Sequence, residues 1–504
     1  MPVERRLLRE SITLSQALDR EVNVLHQLGY WPQRNELLYF LHARRKLIES
    51  RVAHHLKVPV KKCQTEDVGE WMNGSFNICV PVRVEGLGRV IIRFPLPYRV
   101  GESFCPGNGD EKVRCEAGTY AWMQEFCPSI PIPRFYGFAV RSGQSFTALD
   151  RLPLVRRLLH RIHCWYSSLF GNPLPSRLVP DDSDASNELG PYLIIEYIEE
   201  GRMLSDTWAN QRNDKTLRKN LFRDLSKVML TMSRIALPKI GSFIIDDNGY
   251  LRLANRPLTL MLQDLENENI PVDMPRSQTI ASVDSYVNSL LMCHDSRLRS
   301  QPNAVKSYGD CARQLTALAL MRTVRPQFLD HQFNHGPFVF TLTDLHASNI
   351  LVDKDWHIKR FIDLEWASSL PIEFMRTPLW LTSQGIDQTN TEEYDEQRQE
   401  FMEIFKEEEK NSPPEYDFSP ASIMERCWKS GAFWYRAALM SPTGLYNVFL
   451  NHIQPLFSDK HADDVNFYLI VSQYWARGTA DFIQSRVDDK EAYDSRLREM
   501  FKEP

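Results

Sequence analysis

The sequence predicts an α+β fold, and three features of it do so. Between residues 68 and 198, short apolar runs alternate with turn residues, as strands do. From residue 199 onward, apolar residues recur mostly at helical spacing. Inside that helical portion, residues 338–373 return to strand patterning and set polar residues at the strand ends. A chain of 504 residues suits about two to three domains. Its composition, 43% hydrophobic and 25% charged, can bury a large core. A net charge of −5 with no basic tail argues against nucleic acid as the main partner. Nine cysteines without a C-x-x-C pair fit reduced thiols in a cytoplasmic protein. No apolar run is long enough for a transmembrane helix. Glu4, Glu10, Asp19 and Glu21 among the N-terminal arginines speak against a signal or transit peptide.

Residues 1–62 read as a helical extension, with Leu7, Leu8, Ile12, Leu14 and Leu18 at near-helical spacing. Leu37, Leu38, Leu41 and Leu47 repeat the pattern, and packing on the next domain is the preferred role. Residues 69–80 carry Asn73-Gly74 at their centre, which predicts a tight hairpin turn because both residues tolerate positive φ. A strand over 89–94 and a helix over 111–126 follow, and the prolines of 128–133 end the helix. Residues 135–140 read as a strand. An insertion at about 141–190 then interrupts the sheet. Its first part, 152–170, is a basic amphipathic helix. Such a helix can lie on an anionic membrane or, the preferred reading, across the protein's own surface. Its second part, 174–190, is rich in Pro, Ser and Asp and is expected to be a mobile loop. Residues 192–198 form a last, almost wholly apolar strand.

The helical portion opens with Leu221, Leu225, Val228, Met229, Met232 and Ile235 on one face. A hairpin over 241–253 turns on Asn248-Gly249, and helices are expected near 280–298 and 304–327. Residues 392–410 hold nine acids and three bases, which reads as a solvated helix face rather than a pocket for a cation. The aromatics of 420–456 and 462–500, among them Trp428, Phe433, Trp434, Tyr435, Phe467, Tyr468 and Trp475, read as core.

The chemistry concentrates in residues 338–373. A buried strand, 338–342, leads into the polar loop Asp344-Leu345-His346-Ala347-Ser348-Asn349. Two short strands follow, 350–352 and 357–362, and the second ends on Asp363. Asp344, Asn349 and Asp363 are hard oxygen donors at the ends of neighbouring hairpin strands. Such a set suits Mg²⁺ completed by waters and substrate phosphates.

The run D-L-H-A-S-N, followed fourteen residues after its Asn by the aspartate of I-D-L-E-W, resembles the core of the aminoglycoside phosphotransferase and choline kinase family. That resemblance implies a two-lobed protein-kinase-like fold. A small N-lobe with an antiparallel sheet would span 63–198, and a mostly helical C-lobe 199–504, with the catalytic loop at 338–373. By position, Asp344 would meet the acceptor hydroxyl, while Asn349 and Asp363 would hold Mg²⁺ on the phosphates of ATP. His346 is expected to be structural, holding the loop through a backbone contact. The hairpin tip Asn73, Gly74, Ser75 would fold over the phosphates. Arg93 stands where the family has a phosphate-binding Lys, and Glu116 would brace it. Glu196, Tyr197 and Ile198 would form the hinge that meets adenine. Thr343 replaces a usual Gly, and Leu342 stands where many kinases have His. The implied activity moves a γ-phosphoryl group from a nucleotide to a hydroxyl of a small molecule. No H-R-D or A-P-E sequence is present, which argues against a protein kinase. A catalytically weak or inactive nucleotide-binding module is the rival reading, and retention of Asp344, Asn349 and Asp363 together argues against it.

Overall fold

The alternating apolar residues before position 200 pair into one antiparallel sheet. The computed structural model describes residues 3–181, 187–412 and 416–502. Its sheet runs in the order Cys63–Thr65, Asn77–Val84, Gly88–Pro95, Tyr192–Glu196, Phe135–Ala139, Ser145–Ala148, Leu178–Pro180, with Met72–Asn73 beside Asn77–Val84. About half of the chain is helical, so the architecture is α+β. One face of the sheet packs on residues of the helices Tyr30–Ala43 and Arg45–Leu56, through Leu41, Ile48, Val52, Val80, Val82 and Ile92.

Three expectations fail here, each for a physical reason. Asn73-Gly74 does not make the tight turn. Asn73 pairs with Ile78, so residues 74–77 form a longer loop, closed by Gly74 N–H donating to Asn77 O at 2.8 Å. Phe76 in that loop is buried edge-on against Trp366, and its apolar pull outweighs the local turn preference. Next, the segment 141–190 extends the sheet rather than interrupting it. Ser145–Ala148 pairs with Phe135–Ala139, and Leu178–Pro180 adds an edge strand where a mobile loop was expected. Residues 182–186 of that loop lie outside the described residues. Finally, the N-terminus opens with a hairpin, Glu4–Arg6 against Ser11–Thr13, not a helix. Its Leu7 and Ile12 reach a small core with Tyr493, Leu497 and Phe501. The first helix starts only where Thr13 and Gln16 form a capping box.

The helix Asn108–Phe126 links the sheet to the helical portion. It lies so close to the hairpin strand Ser242–Ile245 that a Cβ on Gly118 would meet the Phe243 carbonyl oxygen at 2.3 Å. Glycine is required at that crossing. Beyond it, Phe338–Leu342 pairs with Ala367–Pro371, whereas Ile350–Val352 pairs with Ile358–Phe361 and Arg202–Met203. The expected hairpin of Ile350–Val352 and Ile358–Phe361 therefore forms, but the strand Phe338–Leu342 that leads to Asp344 belongs to a different small sheet. The acidic helix Thr391–Asn411 turns Glu400 and Glu408 onto Arg218 and Arg223 of the helix Lys215–Ser233. Glu392, Glu396, Glu403 and Glu407 face solvent, as expected of a charge run, whereas Glu400 and Glu408 hold the helix against its neighbour. Phe433, Trp434, Tyr435 and Tyr468 are buried, as expected of core aromatics.

Candidate functional site

Asp344 sits in a loop with few degrees of freedom. Thr343 donates its N–H and its hydroxyl to Trp366 O, at 2.9 and 2.7 Å. Asn349 Nδ2 donates to Asp344 O at 2.9 Å, and Trp380 Nε1 donates to Leu345 O at 2.7 Å. His346 was expected to hold the loop through a backbone contact; its carbonyl does accept the Asn349 N–H at 2.9 Å, but its side chain turns to Asp344. Its Nε2 lies 3.2 Å from Asp344 Oδ1. That contact raises the His346 pKa above its ordinary value, against the effect of burial. The amide of Asn349 is therefore used to close the loop, and its Oδ1 has no donor among the described residues. Ile362 N–H donates to Asn349 O at 3.0 Å, which sets the Asp363 backbone beside Asn349.

Asp363 has φ +61°, a left-handed conformation that a residue with a Cβ adopts at a cost. There its carboxylate meets Arg93 of the strand Gly88–Pro95 through Oδ1 and Nη2. The Arg93 Nη1 binds Glu116 Oε1 at 2.7 Å. So the expected Arg93–Glu116 pair forms, and Asp363 joins it. Sequence reasoning missed the rest of the cluster. Glu365 takes Arg93 Nη2 at 3.3 Å, Asn77 Nδ2 at 2.5 Å and the Lys112 ammonium. Lys112 Nζ also donates to Asn77 Oδ1 at 2.8 Å. A signal was present. Lys112 and Glu116 are one helical turn apart, and Glu365 follows Asp363 by two residues.

Arg93, Lys112, Glu116 and Glu365 are all buried. Burial first, and the Asp363 charge second, push the Glu365 carboxyl up to about 7, against Lys112 and Arg93. Burial first pushes the nearby Cys79 thiol up to about 11, with the Asp363, Glu116 and Glu365 carboxylates adding to it and Arg93 opposing. The sign of the Glu365 effect is testable. Its unfolded value is near 4.5, so between that value and about 7 the folded chain keeps a proton the unfolded chain has lost. The stability it gives is full below the lower value and is lost as pH rises through the higher one. Glu365→Gln is expected to flatten the fall in melting temperature of nucleotide-free protein over that window. An unchanged slope would mean Lys112 and Arg93 keep Glu365 ionised throughout.

Other expected residues are placed less freely. Ser75 Oγ accepts from Arg9 at 3.0 Å, and Asn73 Oδ1 from Arg34 at 3.4 Å. The loop holding Asn73, Gly74 and Ser75 is thus tied to the N-terminal segment, while Phe76 and Asn77 anchor it to Trp366 and Glu365. At the end of the strand Tyr192–Glu196, Glu196 exchanges two hydrogen bonds with Arg134, its N–H to Arg134 O at 2.8 Å and its Oε2 from Arg134 N at 3.0 Å. Tyr197 N–H points to Arg89 O at 3.4 Å, and its ring carries the Arg89 guanidinium at 3.9 Å. Ile198 N–H has no partner among the described residues.

A cavity of about 150 Å³ adjoins the Asp344 loop. Thr343, Leu345 and His346 form one wall, and Met229, Met232, Phe340 and Met440 line the rest with residues 374–380. Arg376 is its one cationic side chain besides His346, and no acid lines it. Among the described residues, Arg376 has no carboxylate partner. No group of three or more His, Cys, Asp or Glu side chains is arranged to hold a metal among the described residues. A divalent ion here would take Asp363 and Asn349 and draw its remaining oxygens from a ligand. No family model matches the chain, and no curated protein matches its sequence.

Proposed function

We propose that this protein is an ATP-dependent phosphotransferase of protein-kinase-like fold, acting on a hydroxyl of a small molecule. The observation that carries the reading is the convergence on Arg93. Glu116 from the helix and Asp363 from the distant loop meet one guanidinium that rises from the sheet. In this reading the sheet portion, 63–198, and the helical portion, 199–504, are the two lobes, and the N-terminal 62 residues are an extension. Arg93 grips nucleotide phosphate in bidentate fashion, held by Glu116. Phosphate would draw its Nη2 away from Asp363, freeing that carboxylate. The donor chemistry suits Mg²⁺, with Asn349 Oδ1 and Asp363 as ligands and the ion neutralising phosphate charge. Glu196 to Ile198 would face adenine, with Ile198 N–H free to donate. Asp344 would orient the acceptor hydroxyl and take its proton.

The cavity beside Asp344 is where the acceptor body would sit. Apolar walls, Arg376 and the absence of acids favour a small apolar alcohol bearing an anionic group. A cation, as the aminoglycoside resemblance alone would suggest, lacks a carboxylate there.

Nucleotide turnover across a panel of anionic, neutral and cationic alcohols tests the activity. Asp363→Asn tests the site. Removing a ligand charge is expected to weaken Mg-nucleotide binding by roughly 10- to 100-fold, as losing a hydrogen-bonded charge does. Calorimetry that returns an unchanged affinity would sink the assignment of Asp363.

A further inference from the structure

The helix Leu154–Leu169 is mounted with its polar face inward. A surface helix ordinarily turns its apolar stripe to the core. Here Arg156 Nη1 reaches Asp181 Oδ1 at 2.7 Å, and His160 Nε2 lies 2.9 Å from Ser176 O. Arg157 donates to the carbonyls of Leu152 and Asp150, and Ser167 is the residue of this helix that is buried. Asp181 also binds Lys57 and His54. Burial would raise the Asp181 carboxyl, yet its bonds to His54 and Lys57 hold it well below the usual range. It stays ionised and keeps Arg156 docked.

The opposite face is apolar and bare. Nine large apolar side chains between 154 and 170 are exposed, with Leu154 at 78%, Trp165 at 64% and Leu169 at 62%. Leu154, Leu158, Ile162, Trp165 and Leu169 follow one another at three- and four-residue steps, which makes one continuous stripe. The sequence favours a helix laid across the protein's own surface. The helix does lie there, but on the wrong face for its apolar residues. A contiguous patch of this kind marks an interaction surface.

Charge says what covers it. Residues 151–180 hold five arginines, two histidines and no acid. Arg161 and His163 are exposed at the edge of the apolar stripe, and neither has a carboxylate partner among the described residues. Trp165 and Tyr166 have the amphipathic rings that settle at a lipid–water boundary. The helix has 16 residues, and no helix among the described residues is long and apolar enough to cross a membrane. We propose that this helix seats the protein on an anionic lipid surface. It lies in the plane of the surface, with its apolar stripe in the acyl boundary and Arg161 and His163 among the headgroups. The assignment rests on no assumption about phosphoryl transfer.

Flotation of the full chain tests it, with phosphatidylcholine vesicles containing phosphatidylserine and with phosphatidylcholine vesicles alone. The protein is expected to float with the anionic vesicles and to float less as salt is raised. The double substitution Leu158→Asp, Ile162→Asp touches two side chains that make no core contact, so the fold should survive; an unchanged melting curve checks this. That variant should lose at least about tenfold in vesicle partition, since two side chains that would enter the acyl boundary become charged. Wild type that stays out of the anionic vesicles overturns the proposal. So does a variant that floats as well as wild type. Sedimentation velocity showing a dimer that the same variant abolishes, with no flotation, would assign the stripe to a second copy of this chain instead.

Discussion

Asp344→Asn is expected to lower turnover by about 10² to 10⁴, the range that proton transfer by a positioned group supplies. Mg-nucleotide affinity should stay near normal, because Arg93, Glu116, Asn349 and Asp363 are untouched. Folding should be little affected for a structural reason. The loop is closed through the Asp344 backbone carbonyl, which accepts from Asn349 Nδ2 at 2.9 Å, and an asparagine keeps that carbonyl. His346 is the rival base. Its Nε2 hydrogen-bonds the Asp344 carboxylate at 3.2 Å, and that contact raises its pKa. A raised imidazole carries its proton over more of the neutral range and is the poorer acceptor. His346→Ala should therefore cost less than Asp344→Asn, and its loss should shift the acidic limb of the pH–rate profile. Single-turnover rates with a panel alcohol separate the two. An active Asp344→Asn beside a dead His346→Ala would reverse the roles.

How much of this was legible in the sequence depended on range. That Asp344, Asn349 and Asp363 lie near one another was readable, because a short loop joins the first two and one hairpin joins the last two. Arg93 and Glu116 were readable because a strand feeding a helix brings residues 93 and 116 together locally, and the structure pairs them at 2.7 Å. Local spacing put Lys112 near Glu116 and Glu365 near Asp363, but the meeting of Lys112 with Glu365 was not readable, because 253 positions separate them. No periodicity reports such a meeting. The N-terminal hairpin was misread because Leu7, Leu8, Ile12, Leu14 and Leu18 satisfy a helical spacing as well as an alternating one. Packing against Tyr493 and Leu497, at the far end of the chain, decided it. The edge strand Leu178–Pro180 was hidden by its own proline and by the Pro, Ser and Asp residues around it; proline is tolerated at a sheet edge. The helix Leu154–Leu169 was recognised as amphipathic. Which face turns inward depends on Asp181, and composition does not carry that.

Lys112→Met is expected to be the most destabilising single change near the site, by about 3–5 kcal/mol, the cost of stripping one partner from a buried ion cluster. Lys112 has no exposed surface. It contacts Glu365, Asn77 and, at 4.0 Å, Glu116. With it gone, Glu365 and Glu116 share one buried cation, Arg93, which Asp363 also engages. Glu365 already has its pKa raised by burial and by Asp363, so it would take up a proton in the variant at still higher pH. The defect should accordingly shrink as pH falls. Glu365→Gln in the Lys112→Met background removes the orphaned charge and should recover part of the loss, so the pair is non-additive. Lys112→Arg should not substitute fully, because a planar fork cannot place one donor between Asn77 and Glu365 as an ammonium does. Urea midpoints for the two single variants and the double variant measure the cycle. Additive losses would mean that Lys112 and Glu365 do not act as a unit, and the cluster around Arg93 would then reduce to Glu116 and Asp363.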